Sequence, residues 1–384
     1  MTDPICVHEG CGGCRFQGVP YAEQLAAKDG ELRRLVADKG IDCEDYLEIA
    51  GSPRVFAYRS KMEYSFGDER PDGPTTLGMH RRKSFMSVVT TDQCLLTDAD
   101  FNRILAAVLA FSNERAYRIY HRKSHVGFLR NLVVRKGART GELLVNLVTS
   151  SQSALDREAF ADTLLALQLD GHIVGILHTV TDTVADSTAG GEFDVLYGRD
   201  FYLEEIMGLK FKVSAFAFFQ TNIEAVERLY RTVISWLPAL SRKRVFDLYC
   251  GAGTIAQAVA GEAGEVTGVE IVAASVAAAR ENTKLNGLEN CRFIEGDVLA
   301  VLDGMDEKPD VILLDPPRAG VHPAALRKIA GFRAQTIAYI SCNPASLTDN
   351  LRVLGETYAV KRMQAFDNFP FTGHTEAAAL LERK

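Results

Sequence analysis

The stretch from Val245 to Gly253, V-F-D-L-Y-C-G-A-G, constrains the fold of this chain more than any other. An apolar run carries an acid, a turn holds glycines at 251 and 253, and Thr254-Ile-Ala-Gln-Ala-Val-Ala continues with a helical pattern. Strand, glycine turn and helix start, in that order, make a loop whose backbone can approach a ligand closely. A second apolar run, Val266-Thr-Gly-Val, ends in Glu270. An acid at the tip of a second strand suits the two hydroxyls of a ribose. The third glycine of the G-x-G-x-x-G pattern is absent, so no pyrophosphate need be cradled there. The loop fits a nucleoside without phosphates.

The same alternation runs on to the C-terminus. Helical patterns at 223–237 and 272–286, the latter stopped by Gly287, alternate with apolar runs that begin at Arg244, Cys291, Asp310 and Thr336. Such alternation predicts an α/β, doubly wound, Rossmann-like and mostly parallel sheet over 206–384, with ligands at the carboxyl ends of its strands. Glu270, Asp297, Asp315 and Cys342 all fall at predicted strand ends. S-adenosylmethionine, a nucleoside with no phosphate, fits the glycine turn and Glu270. Cys342 follows a buried strand and precedes Asn343-Pro344, where proline is pre-set for the first turn of a helix. A thiol at a helix N-terminus is expected to have a lowered pKa.

The first half of the chain reads differently. Cys6, Cys11 and Cys14 place three thiols within nine residues, and the glycines between the last two permit a tight turn. A fourth ligand would come from elsewhere, with Cys94 the leading candidate and Cys43 the next; spacing leaves zinc and iron–sulfur both open. Tyr21 to Gly40 reads as a helix. Residues 46–205 read as a β-rich α+β domain of short, mainly antiparallel strands: 61–66, 76–80, 83–89, 131–135, 142–148, 174–180 and 201–205. Helices are expected at 97–112 and 154–167. Its basic residues Arg54, Arg59, Lys61, Arg81, Arg82, Lys83, Arg122, Lys123 and Arg130 interleave with Phe56, Tyr58, Tyr64 and Phe128, as phosphate contacts and stacking on unpaired bases require. Between residues 51 and 140 there are 16 Lys and Arg against 8 Asp and Glu, in a chain of net charge −7. That contrast marks a local basic footprint. The division expected is a cysteine segment (1–45), a central RNA-binding domain (46–205) and a ligand-binding domain (206–384).

With 47% apolar and 24% charged residues the composition is that of a soluble globular protein. No run approaches the ~20 apolar residues of a membrane span. The start, Met1-Thr-Asp-Pro-Ile-Cys6, has no secretory pattern, so a cytoplasmic protein with reduced cysteines is expected, with no membrane and no obligate protein partner.

Five segments together carry a resemblance: D-L-Y-C-G-A-G at 247–253, F-F-Q-T-N at 218–222, L-D-P-P-R-A-G at 314–320, S-C-N-P at 341–344 and H-T-E at 374–376. In these the chain resembles the RNA (uracil-5)-methyltransferases, class I enzymes that use S-adenosylmethionine. The resemblance implies Cys342 as nucleophile and Glu376 as general base. It implies Gln220, Tyr249, Thr254, Glu270 and Asp297 at the cofactor, with Asp315 between cofactor and base. Thr254 stands where the family usually has a smaller residue or Asn. It also implies a [4Fe-4S] cluster on Cys6, Cys11, Cys14 and Cys94. With a cysteine cluster and only five residues ahead of it, the chain looks most like the branch without an extra barrel, which modifies uracil 747 of 23S rRNA. A tRNA substrate, cytosine-5 methylation and a non-catalytic iron–sulfur RNA-binding protein are the alternatives. The cytosine enzymes place Pro-Cys where this chain has Pro317-Arg318.

Overall fold

The computed structural model describes residues 5–70, 73–184, 191–305 and 307–384. They form two compact units, neither a single stretch of chain. One holds residues up to 18 with 54–205 and 212–217; the other holds 19–53, 206–211 and 218–384.

The first unit is built on a seven-stranded sheet in the order Val88–Thr90, Thr75–His80, Lys61–Asp68, Leu129–Lys136, Glu142–Thr149, His172–Val180, Glu192–Gly198. All neighbours are antiparallel except Glu142–Thr149 with His172–Val180, which run parallel and are joined through the helix Arg157–Leu165. A parallel pair needs such a crossover, and a helix is its usual form. Helices Ala99–Glu114 and Arg157–Leu165 supply Phe101, Ile104, Leu105 and Phe160 to a core shared with Tyr64, Leu132 and Val145. The first of these helices begins at Asp98, whose carboxylate accepts from the Asp100 amide at 3.0 Å. That cap satisfies one of the free donors of the first turn.

Two expectations change here. The strand expected over 83–89 is a turn through 81–87 followed by the short strand Val88–Thr90, because Lys83 takes φ +64° and Ser84 hydrogen-bonds back to Arg81. The strand Phe201–Ile206 does not join the large sheet; it pairs only with Leu209–Ser214.

The second unit carries an eight-stranded sheet in the order Cys43–Ala50, Tyr358–Phe366, Glu376–Arg383, Thr336–Ser341, Val311–Leu314, Arg244–Leu248, Glu265–Glu270, Cys291–Glu295. Glu376–Arg383 runs antiparallel to both of its neighbours, and every other pairing is parallel. Every residue of Val311–Leu314 and Thr336–Ser341 is buried, as expected for strands covered by helices on both faces. The helix Tyr21–Asp38, placed with the cysteine segment by the sequence division, folds here. Its Leu32 is buried in the sheet's core, and Lys28 bonds the buried carboxylate of Asp367 at 2.6 Å. Its apolar face and the edge strand Cys43–Ala50 find their partners only in the C-terminal sheet. Among the described residues no helix is long and apolar enough to cross a membrane.

Candidate active site

Within the second unit the carboxyl ends of the parallel strands meet the start of Glu376–Arg383. The strand Arg244–Leu248 runs into a turn in which Tyr249, Gly251 and Gly253 all have positive φ, at 66°, 53° and 73°. A left-handed tyrosine is costly and is held only where its surroundings impose it. A Cβ on Gly253 would meet the Phe293 ring at 2.6 Å, so only glycine fits. Over Gly251, by contrast, nothing lies within 4 Å of that position, and the turn opens onto free space.

Glu270 braces this turn. One carboxylate oxygen accepts from the Gly251 amide at 3.0 Å and the other from the Val272 amide at 2.9 Å. Each oxygen retains a lone pair, enough to receive the two hydroxyls of a ribose. Beside it Ile271 and Val272 are exposed, an apolar edge suited to a purine ring. Asp297 caps the helix Val298–Asp303 through the Ala300 amide at 3.1 Å. Its charge reaches the Tyr249 phenol which, chiefly through burial, is pushed up to about 12. Thr254 is buried as the first residue of the helix Thr254–Ala260, leaving that helix's free amides at the turn. An open turn, a carboxylate with two accepting oxygens and an apolar edge fit the nucleoside of S-adenosylmethionine.

The other candidate groups lie across the neighbouring strands. Asp315 follows Val311–Leu314, Cys342 follows Thr336–Ser341, and Glu376 opens the antiparallel strand. Burial raises Asp315 to about 7. Burial and then the Asp315 charge raise Glu376 to about 8. Cys342 is raised to about 11, first by burial, then by Glu376 and Asp315, with Arg318 pulling the other way. The expected lowering at a helix N-terminus is therefore overturned. Asn343, not Cys342, caps the helix Pro344–Leu354 by accepting from the Ala345 amide, and two carboxyls face the thiol. The Asn343 amide also donates to the Arg318 carbonyl at 2.9 Å, tying the D-P-P-R loop to the cysteine turn.

Sequence reasoning missed two groups here. Tyr230 is buried among Asp315, Asp247 and Glu376 and hydrogen-bonded to Gln220, and its phenol is held well above its ordinary range, mainly by burial. On the helix Ile223–Trp236 it reads as one more apolar-face residue. Asp247 is fully buried with neither oxygen in a full hydrogen bond, so burial and the Asp315 charge hold its carboxyl well above the carboxylate range. Its place inside the glycine-turn motif was the available signal.

In the first unit Cys6, Cys11, Cys14 and Cys94 lie within reach of one another's charge. Among the described residues, however, no group of three His, Cys, Asp or Glu side chains is spaced to hold a metal ion. Cys43 belongs to the second unit, where its charged neighbours are Asp45, Asp42 and Glu44. The aromatic half of the expected RNA surface changes as well. Tyr58, Tyr64 and Phe128 are core residues at 5%, 0% and 2% exposure, and Arg130 is buried against the Tyr120 ring.

The tRNA (uracil-5-)-methyltransferase family matches this chain over residues 20–384. An uncharacterized RNA methyltransferase of Clostridium acetobutylicum is 46% identical over the whole chain and 84% of its own length, and one of Clostridium tetani is 44% identical over 97% and 82%. The crystal structure of Pyrococcus abyssi tRNA (uracil-54, C5)-methyltransferase with S-adenosyl-L-homocysteine superposes with a TM-score of 0.80 at 25% identity, covering 99% of this chain and 86% of that one. With its open glycine turn and its half-buried Cys342, Asp315 and Glu376, the chain belongs to the tRNA (uracil-5-)-methyltransferase family and is an S-adenosylmethionine-dependent RNA methyltransferase.

Proposed function

We propose that the protein methylates C5 of a uridine in 23S rRNA, with Cys342 as nucleophile and Glu376 as the base that completes the reaction. The observation that carries the mechanism is the mutual field of Cys342, Glu376 and Asp315 at the mouth of one sheet. Bound S-adenosylmethionine supplies a methyl group on a sulfonium cation. Gln220, Tyr249, Thr254, Glu270 and Asp297 would hold it, and Asp315 would lie between it and the base. Uracil C5 is a poor nucleophile. The Cys342 sulfur adds to C6, breaking the C5–C6 double bond and placing the electron pair on C5 and O4. C5 then takes the methyl group as the methyl–sulfonium bond breaks, its electron pair going to sulfur, which leaves as the thioether S-adenosylhomocysteine. Glu376 removes the C5 proton, the double bond re-forms, and the C6–S bond breaks to return the thiolate. One proton is released per methyl transferred. A base poised near pH 8 suits this role, since a general base works best with a pKa near the operating pH. The target nucleotide must leave its stack to reach a half-buried thiol.

The first unit, residues up to 18 with 54–205 and 212–217, carries the cysteine segment and serves as the RNA-binding part in this reading, and the second, 19–53 with 206–211 and 218–384, as the methyltransferase part. We assign Cys6, Cys11, Cys14 and Cys94 to a [4Fe-4S] cluster, supported by the charge coupling of these four thiols. When bound, the cluster would tie the segment to Cys94; no step of methyl transfer passes through it. Support for 23S rRNA is the cysteine set Cys6, Cys11, Cys14 and Cys94 in this sequence. A tRNA substrate is the second reading, favoured by the family description and by the Pyrococcus enzyme. Mass-spectrometric mapping of 5-methyluridine in rRNA and tRNA from cells with and without the protein tests both. Loss of one 23S rRNA site with tRNA unchanged is expected. Loss confined to tRNA transfers the assignment, and no change in either overturns uridine C5 as the target.

A further inference from the structure

The turn between Thr75–His80 and Val88–Thr90 presents Arg81, Arg82 and Lys83 in succession, then Phe85 at 86% exposure and Met86 at 47%. A single exposed apolar residue needs no explanation. An aromatic ring standing out of a tri-cationic turn is a different arrangement, because it pairs a flat apolar face with charges that hold phosphates.

The turn is also braced. Arg81 bonds across it from its amide to the Ser87 carbonyl at 2.8 Å, and its guanidinium pairs with Glu69. The Ser84 hydroxyl accepts from the Ser87 amide at 3.1 Å, and the Ser87 hydroxyl donates to the Glu69 carbonyl at 2.9 Å. The remaining support comes from the cysteine segment. Cys11 forms an antiparallel bridge with Arg81; the Gly12 amide donates to the His80 carbonyl at 2.9 Å. The Arg82 amide donates to the Gly10 carbonyl at 2.7 Å, and its guanidinium donates to the Cys14 carbonyl at 2.8 Å. The segment thus lies along the turn, joined to it by one isolated bridge and these hydrogen bonds. It approaches so closely that a Cβ on Gly12 would meet the His80 carbonyl oxygen at 2.8 Å.

We infer that this turn is a docking site for an unpaired stretch of the RNA substrate, with Phe85 stacking on a base, Arg82 and Lys83 at phosphates, and the cysteine segment as its scaffold. The inference rests on the RNA reading above and deepens it. The cysteine segment acts here on where RNA is held, not on the chemistry. Charge complementarity selects RNA as the occupant, and rigid support explains how an exposed ring can stack without first being ordered.

The test measures binding of a full-length 23S rRNA transcript and of a bulk tRNA transcript to the whole protein, alongside cofactor affinity. Phe85→Ala should weaken RNA binding about 5- to 100-fold, the loss expected for one stacked base, and Phe85→Trp should restore it. Lys83→Gln should lower the salt slope by about one phosphate contact. Gly12→Ala, which displaces the scaffold, should lose RNA affinity as Phe85→Ala does while cofactor affinity stays unchanged. If wild-type protein binds neither transcript, the RNA reading itself fails. If wild type binds and Phe85→Ala binds equally well, the turn is no docking site. If Phe85→Ala instead abolishes concentration-dependent self-association with RNA affinity intact, the occupant is a second copy of this chain and the inference is overturned.

Discussion

Cys14 and Cys342 are both thiols pushed above their ordinary range, to about 12 and about 11, and in both burial is the leading cause. They part at the next cause. Around Cys14 the opposing charges are other cysteines, Cys94, Cys11 and Cys6, with Arg59 in relief. Around Cys342 they are two carboxyls, Glu376 and Asp315, with Arg318 in relief. A knot of thiols can ionise together only if a multivalent cation joins them, because each thiolate formed makes the next harder. A single thiol facing carboxyls needs only a transient positive charge nearby, and the sulfonium of the methyl donor is one. The same residue type therefore sits in two different settings: among other thiols in one unit, facing carboxyls in the other.

The sharpest way to break this comparison is at Cys342 itself. Cys342→Ala is expected to lower methyl transfer by at least about 10⁴-fold, the scale on which removal of a covalent nucleophile acts. Cofactor affinity, measured by calorimetry, should stay within a few-fold. Turnover near the wild-type level would remove Cys342 from the mechanism. At the other pole, Cys11→Ser or Cys94→Ser should remove most of the iron from anaerobically purified protein and much of its folded fraction, while Cys43→Ser keeps both. Zinc in place of iron, or iron lost in Cys43→Ser, would redraw the ligand set.

Glu376→Gln separates the two halves of the reaction. Addition and methyl transfer should proceed and elimination stall, leaving a protein–RNA adduct that resists denaturation and carries label from the cofactor. Folded, slow protein without adduct would mean that another group takes the C5 proton. The same substitution has a stability consequence. The carboxyl of Glu376 is raised from 4.5 to about 8 in the fold. Its protonated form is the one the fold tolerates, so its contribution is fully present below about pH 4.5 and is lost as pH rises through 8. Ligand-free Glu376→Gln should thus melt higher than wild type at pH 8.5, by on the order of 2 kcal/mol after allowance for its partial exposure, with little difference at pH 4. Equal melting at both values would show that Glu376 is not held protonated.

The smallest effect concerns the thiol. Removing the Glu376 charge lowers the Cys342 pKa, so iodoacetamide should alkylate Cys342 in Glu376→Gln a few-fold faster than in wild type at pH 8. Unchanged rates would place the carboxylate too far from the sulfur to matter.

How much of this was legible in the sequence follows from which interactions are local. The glycine turn, its helix and the parallel strands after it were readable, because φ preferences and apolar runs act over a few residues. Asn343 and Pro344 likewise announced a helix start. Strand 83–89 was misread because an apolar and serine-rich stretch has strand propensity, whereas the left-handed Lys83 and the bonds from Ser84 and Ser87 make it a turn. Tyr58, Tyr64 and Phe128 were misread as stacking residues because alternation cannot say which face of a sheet the helices cover.

The sequence by itself determined which groups are at hand: a thiol before Asn-Pro, acids at strand ends, and glycines at 251 and 253 in a left-handed turn. Those are properties of residue type and short-range geometry. The tertiary structure alone decided the charge environment. It brought Glu376, from the antiparallel strand at the end of the chain, into the field of Cys342 and Asp315, turning an expected low thiol pKa into a high one. It also sent residues 19–53 to the C-terminal sheet, where Lys28 meets Asp367 across more than 300 residues of chain. Desolvation and charge fields depend on distance in space, and no spacing along the chain records that distance.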